Sequence, residues 1–133
     1  MTEITNSNFS DFLARFYNLY DGIIRNVTIK FMNKQHKTTV TVICSVQDQE
    51  IVGDDSWINL TFNVINVIDL ILLEGNITCV VLSTGINIGF FDEHIYLDFC
   101  PFTEEPEGID DFRKSRFLIV GGACFWQLSS YSE

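Results

Sequence analysis

From residue 23 onward, apolar residues alternate with polar ones, and this period of two constrains the fold more than any other feature of the chain. Residues 38–46 place Val40, Val42, Cys44 and Val46 at every second position, and residues 56–64 do the same with Ile58, Leu60, Phe62 and Val64. Because successive side chains of a β-strand point to opposite faces, this pattern predicts a strand with one buried face. Similar runs of β-branched and aromatic residues between turn signals predict strands at residues 23–31, 38–46, 56–64, 67–73, 77–83, 86–91, 95–99 and 116–129.

Some of these segments carry finer predictions. In residues 23–31, the alternation predicts one shared face, which consists of Ile23, Arg25, Val27, Ile29 and Phe31. In residues 116–129, Gly121 and Gly122 predict a bulge or bend, because glycine weakens the interior of a strand. The polar stretch at residues 33–37 predicts a turn.

Residues 8–20 have a different period, with apolar side chains three and four positions apart. This spacing predicts a helix with one apolar stripe, formed by Phe9, Phe12, Leu13, Phe16, Leu19 and Tyr20. Asn8 or Ser10 is predicted to cap its start. No alternation of strands and helices follows it. The sequence therefore predicts a single α+β domain, residues 1–133, in which an N-terminal helix packs on a mostly antiparallel, curved sheet (a meander or open half-barrel) of seven or eight strands.

Composition restricts the class of protein. The chain is 47% hydrophobic and contains 12 Phe, which excludes an intrinsically disordered protein. Its most apolar run, residues 62–75, is too short to cross a membrane and is interrupted by Asn63, Asn66 and Asp69. The first residues lack the basic end and apolar block of a secretory signal, so a cytoplasmic location is predicted.

The four cysteines are spaced singly along the chain. Cys44, Cys79, Cys100 and Cys124 each lie in or beside an apolar run, and none belongs to a C-x-x-C pair. Zinc sites usually take two ligands from one tight turn, so a zinc site is not expected. The predicted state of all four is a buried, reduced thiol that packs as a small hydrophobic side chain.

Charge is the strongest global property. Eighteen acidic residues face eight basic ones, which gives a net charge of −10. This balance disfavours binding to nucleic acids and to anionic membrane surfaces, because both require cations on the protein. It favours a basic protein partner, because long-range attraction between opposite charges accelerates association. Solubility alone is the alternative explanation of the charge.

The acids concentrate in residues 99–112, where five carboxylates fall within the eight positions from Glu104 to Asp111. General acid–base catalysis requires two acids in different environments, whereas these acids look uniformly solvated. Their spacing also differs from that of a calcium-binding loop. His94 follows two acids at a predicted hairpin tip and is not expected to act as a base. The prediction is a protein without catalytic residues, metal or cofactor, and therefore not an enzyme.

Partner binding is the predicted use of the acidic residues. Phe102, Ile109 and Phe112 either anchor a partner or pack the segment onto the sheet, and Phe102 is the predicted anchor. The predicted partner-binding residues are Asp92, Glu93, Phe102, Glu104, Glu105, Glu107, Asp110 and Asp111.

Three stretches, residues 18–31, 57–75 and 81–99, cover about 40% of the chain and carry a resemblance. In pattern they resemble small acidic bacterial immunity proteins, including those of contact-dependent inhibition systems. The resemblance implies a cytosolic protein without enzyme activity that binds a cognate toxin domain, often a basic nuclease, and blocks its active site or substrate groove. It assigns no individual binding residues, because the family pattern defines none here.

Two other readings stay open at this point. The aromatic residues suit a small-molecule-binding β-rich domain with a ligand cavity inside the curved sheet. An exposed strand edge suits a structural subunit that dimerises. The sequence does not predict the oligomeric state.

Overall fold

The structure, a computed structural model, describes residues 1–31, 37–51, 56–73 and 80–131. Its strands are β1 Thr2–Ile4, β2 Gly22–Lys30, β3 Thr38–Gln47, β4 Trp57–Val67, β5 Asp69–Leu72, β6 Val81–Leu82, β7 Asn87–Phe91, β8 His94–Asp98, β9 Phe117–Gly121 and β10 Ala123–Ser129. Its α-helices are α1 Phe9–Arg15 and α2 Ile109–Arg113. Residues 33–36 of the predicted turn and residues 77–79 of the predicted strand at 77–83 lie outside the described residues.

The described strands form two sheets, and every pairing is antiparallel. One sheet has six strands in the order β1-β10-β4-β3-β2-β6, and the other has four in the order β5-β9-β8-β7. The predicted α+β class with mostly antiparallel strands is therefore confirmed. The finer prediction of one helix on a single sheet of seven or eight strands is wrong, because ten strands are divided between two sheets and a second helix is present.

The chain changes sheets between β5 and β6 and between β6 and β7, and also at two neighbouring corners, first from β4 to β5 and second from β9 to β10. Gly121 and Gly122 form the second corner, as the predicted bend requires, and divide the predicted strand at residues 116–129 in two. A Cβ atom on Gly121 would lie 2.5 Å from Cγ1 of Val64. The close approach of β9 to β4 therefore requires a residue without a side chain.

The main core lies between the two sheets, and α1 contributes to it. Phe12 of α1 contacts Phe62 of β4 and Trp126 of β10, with ring centroids 5.8 and 5.4 Å apart. Phe62 in turn meets Phe99 at 5.5 Å. The predicted inward residues of β3 and β4 are almost all fully buried, which confirms the period-two pattern there: Val40, Val42, Cys44, Val46, Leu60, Phe62 and Val64.

The face predicted for residues 23–31 is wrong at three positions. The register of β2 with β3 shifts between Ile24 and Asn26, which is a β-bulge. The bulge directs Arg25 outward, where its Nε donates a hydrogen bond to Oγ of Ser45 at 2.9 Å. Ile24 rather than Ile23 packs against the core, and Phe31 is 81% exposed. A strict alternation would place the guanidinium of Arg25 on the buried face, where an unpaired charge is unfavourable. The bulge avoids this burial.

Two of the four cysteines match the predicted state. Cys44 and Cys124 are free, buried thiols, and burial raises the pKa of Cys44 to about 12. Cys100 differs from the prediction because it is disulfide-bonded. Cys79 lies outside the described residues.

The described helices are short, and the longer of them, α1, has seven residues. Neither of them has the length and apolar character that a membrane crossing requires.

Candidate binding surface

The four-stranded sheet is apolar on its outer face as well as on the face toward the main core. On the outer face, Tyr96, Phe112, Leu118 and Val120 form a second buried cluster. The rings of Phe91, Tyr96 and Phe112 contact one another with centroids 5.2 to 5.9 Å apart. Such a sheet must be covered on both sides, and α2 provides part of the outer cover.

This cover fixes the roles of two residues that the sequence left open. Phe112 is 2% exposed and belongs to the outer cluster, and Ile109 packs against the same cluster. Both residues therefore fasten the acidic segment to the sheet. We call residues 99–116, which connect β8 to β9, the acidic loop.

Polar contacts also hold the acidic loop in place. The side-chain amide of Asn87 on β7 donates to the carbonyl oxygen of Thr103 at 2.9 Å. The backbone N–H of Glu107 donates to Oδ2 of Asp111 at 2.9 Å. Ile109 and Phe112 pack on the sheet, whereas most carboxylates of the loop are directed to solvent.

The predicted charged residues of the loop are placed accordingly. Glu104, Glu105, Glu107 and Asp110 are exposed, and Asp111 is half-buried. Nζ of Lys114 lies 3.7 Å from Oδ1 of Asp111. Arg113 instead pairs with Asp69 on β5, and its guanidinium carbon lies 5.8 Å from the centre of the Tyr96 ring. Within the described parts of the chain, the ion pairs therefore neutralise Asp111 and leave the four exposed acids of the loop uncompensated.

Phe102, the predicted anchor, is 62% exposed. Nζ of Lys114 lies 4.6 Å from the centre of its ring, which is a cation–π contact. Since the same ammonium group faces Asp111, Lys114 links Phe102 to the carboxylates at the start of α2.

The second predicted cluster, Asp92 and Glu93, forms the tip of the β7–β8 hairpin. Phe91 pairs with His94, so the two acids make a two-residue turn. Their φ angles are 51° and 66°, the left-handed conformation of a type I′ turn. Glycine is the usual residue at the second of these positions, and a longer side chain there is unfavourable. Both acidic residues are exposed.

An open cleft of about 580 Å³ brings Phe91 of β7 together with the segment from Glu107 to Asp111. The cleft is lined by Phe91, Glu107, Gly108, Ile109, Asp110 and Asp111. Phe91 directly precedes Asp92 in the chain, so the hairpin tip follows a residue that lines the cleft. We call the predicted acids of both segments, together with Phe91 and Phe102, the acidic surface.

Of the eight predicted residues, Glu107, Asp110 and Asp111 line the cleft itself. Glu104 and Glu105 are exposed elsewhere on the acidic loop. Sequence reasoning missed Phe91, although its position immediately before a predicted acidic turn was a usable signal.

Sequence reasoning also missed Asp98, the last residue of β8, which is 2% exposed. Its Oδ1 accepts the backbone N–H of Cys100 at 3.0 Å, and the hydroxyl group of Ser115 also bonds to its carboxyl group. Burial raises the pKa of Asp98 to about 6, although these two hydrogen bonds act in the opposite direction. No sequence signal marks this residue, because a strand-terminal aspartate is ordinarily a surface residue.

The arrangement is suited to receiving cations on exposed carboxylates beside two aromatic rings. In the described part of the chain, no three side chains of His, Cys, Asp or Glu are grouped so that they could hold a metal ion. Comparison with protein-family models, with curated proteins and with solved structures gives no match.

Proposed function

We propose that the chain is an immunity-type protein that binds and neutralises a cognate basic toxin domain, such as a nuclease, through the acidic surface. One observation carries the proposal: three acids of the loop, Glu107, Asp110 and Asp111, line an open cleft together with Phe91, the residue that precedes the acidic hairpin tip. The uncompensated acids of the loop supply the charge, and Phe91 and Phe102 supply apolar contact area.

Electrostatic attraction would act first. At physiological salt, charges interact over about 8 Å, so clustered carboxylates attract a cationic surface far more strongly than scattered ones do. Such steering raises association rates above those of neutral partners. On contact, Lys and Arg side chains of the toxin would pair with the carboxylates, and their aliphatic stems would pack on the aromatic rings. A nuclease domain bound in this way would be blocked where nucleic-acid phosphates otherwise sit.

The two other readings find less support. The described interior between the sheets is occupied by contacting rings, such as Phe62 with Phe99 and Phe99 with Phe117 at 4.9 Å, which disfavours a ligand cavity there. At the β5 edge, Oδ1 of Asp69 accepts the backbone N–H of Leu70 at 2.9 Å. The Asp69 carboxylate thus occupies a backbone N–H group at the edge of the sheet and discourages this edge from pairing with a strand of a second copy.

The test begins with the protein as bait for the proteins of its native producer, including the product of the adjacent gene. The expected result is capture of one basic protein at low salt, with weaker capture at high salt. That protein should be toxic when expressed alone and harmless when expressed together with the immunity-type protein.

Charge reversal assigns the binding to the acidic surface. The double variant Glu104→Lys/Glu105→Lys should slow association about tenfold at low salt. The matched control is Glu3→Lys/Asp11→Lys, which alters two exposed acids of the N-terminal region by the same total charge. If both double variants slow association equally, the effect is due to net charge and not to the acidic surface. If the loop variant associates at the wild-type rate, the assignment of binding to the acidic surface is refuted.

A further inference from the structure

The acidic loop leaves the four-stranded sheet and returns to it at neighbouring points. Phe99 donates its backbone N–H to the carbonyl oxygen of Phe117 at 2.9 Å, so the two ends of the loop are paired. Between these ends, the loop carries Phe102 and five of the predicted acids. The contacts between these ends therefore help to fix the position of the loop, together with the packing of Ile109 and Phe112 on the sheet and the disulfide bond of Cys100.

Asp98 connects the two ends through side-chain hydrogen bonds. At the first end, its Oδ1 accepts the N–H of Cys100 at 3.0 Å. At the other end, Ser115 donates its hydroxyl to Asp98, and Oγ of Ser115 accepts the N–H of Phe117 at 2.9 Å. Asp98 and Ser115 are 2% and 3% exposed, so this network lies beneath the loop and not on its surface.

Among the described residues, no ion pair joins Asp98 to a cation, Arg116 included. In the register of the sheet, its partners are Asn87 on β7 and Leu118 on β9, both uncharged. The cations of α2 are directed elsewhere: Arg113 pairs with Asp69 and Lys114 with Asp111. Tyr96, two residues earlier on the same strand, lies in the aromatic cluster under α2. A carboxylate at this buried position is therefore penalised by desolvation, and a neutral carboxyl group is not.

We propose that Asp98 is the latch of the acidic loop: it ties both ends of the loop to the sheet, and its protonation state sets how often the loop detaches. This inference rests on the proposed function only in assigning the loop to partner binding. Asp98 is a positioning residue, because it acts on the partner-binding groups through the loop and does not contact a partner itself.

The direction of the pH dependence follows from linkage. The pKa of Asp98 is about 6 in the closed loop and returns toward its usual 3.8 when opening exposes the carboxyl group to water. The closed loop therefore binds the proton more tightly than the open loop does, and closure is favoured below pH 4 and weakened as the pH rises through 6. Between pH 5 and pH 8, these two values correspond to an increase of about tenfold in the opening constant.

Amide hydrogen exchange of the full chain measures this opening directly. Peptides that cover residues 99–116 are followed at several pH values, corrected for intrinsic exchange chemistry, and compared with peptides from β3 and β4. In the wild type, the opening constant of the loop should rise about tenfold from pH 5 to pH 8, while β3 and β4 stay unchanged.

Two variants make the test specific. Asp98→Asn keeps the shape and the acceptor for Cys100 but does not titrate, so its loop should open with less than a twofold dependence on pH. Ser115→Ala removes one tie and also a hydrogen bond that lowers the pKa of Asp98, so its loop should open more, with a pH dependence at least as steep as that of the wild type. A wild-type loop whose pH dependence equals that of the Asn variant would overturn the proposal.

A nona-arginine peptide, added at low salt, separates the latch from the proposed function. If the acidic surface binds cations, the peptide should slow exchange of the loop in both the wild type and Asp98→Asn. Failure of the peptide to protect either protein would count against the proposed function. The latch would then be decided by the pH series alone.

Discussion

Replacing Glu93 with glycine should stabilise the fold while removing a predicted binding residue. Glu93 is the second residue of the two-residue hairpin turn and has a φ angle of 66°. For a residue with a Cβ atom, the left-handed conformation costs about 1–2 kcal/mol. Glycine adopts it without that cost, although glycine also loses about 0.5–1 kcal/mol more conformational entropy on folding. The expected net effect is an increase of about 1 kcal/mol in the free energy of unfolding.

The structure indicates that little opposes this gain. Glu93 is exposed, and no ion pair in the described part of the chain involves it. Urea unfolding should therefore show a higher midpoint with an unchanged slope, and the thermal midpoint should rise by about 4 °C.

Two control variants separate the backbone from the charge. Glu93→Gln removes the carboxylate but keeps the unfavourable φ angle, so it should leave stability nearly unchanged. Glu93→Asn, whose short side chain tolerates this conformation, should give a smaller gain than glycine. If glycine and glutamine have equal effects on stability, the strain argument is refuted. Under the proposed function, the Gly and Gln variants should both weaken binding of the basic partner, despite their different stabilities.

Two further predictions concern the core and its edges. Arg15→Leu should lower the free energy of unfolding by about 3 kcal/mol, because it leaves the buried Asp48 unpaired. Asp48 is 2% exposed, and both of its carboxylate oxygens accept hydrogen bonds from Arg15. Burial alone would raise the pKa of Asp48, but the hydrogen bonds that its carboxylate accepts lower this pKa overall. The carboxylate therefore stabilises the fold at neutral pH, and this stabilisation is lost as the pH falls through the folded-state pKa of Asp48. Urea unfolding should accordingly show a smaller penalty for Arg15→Leu near pH 3 than at pH 7; an equal penalty would contradict the pairing. Gly121→Ala should destabilise the fold by about 1–3 kcal/mol, since its Cβ would lie 2.5 Å from Cγ1 of Val64, whereas Gly108→Ala, with open space around its Cβ, should be neutral in the same assay.

The local period of the sequence determined most of the secondary structure. Alternating side chains predicted β3 and the buried face of β4 correctly, because burial of one face imposes that pattern on a strand wherever it pairs. Gly121 and Gly122 likewise marked a real corner, since only residues without a side chain allow so close an approach of two strands. The acidic segments were also visible as composition, and the structure places most of their carboxylates in solvent.

Only the tertiary structure decided how these elements meet. The division into two sheets and the bulge at Arg25 depend on pairing between distant segments, which no local pattern encodes. The cleft places Phe91 beside the start of α2, and the ring of Phe91 also packs on Phe112, 21 positions away in the sequence. Asp98 looked like a surface residue until the folded loop covered it. The positions of the acidic residues can be read from the sequence. The role of Asp98 beneath them depends on its burial and electrostatic environment, which exist only in the folded chain.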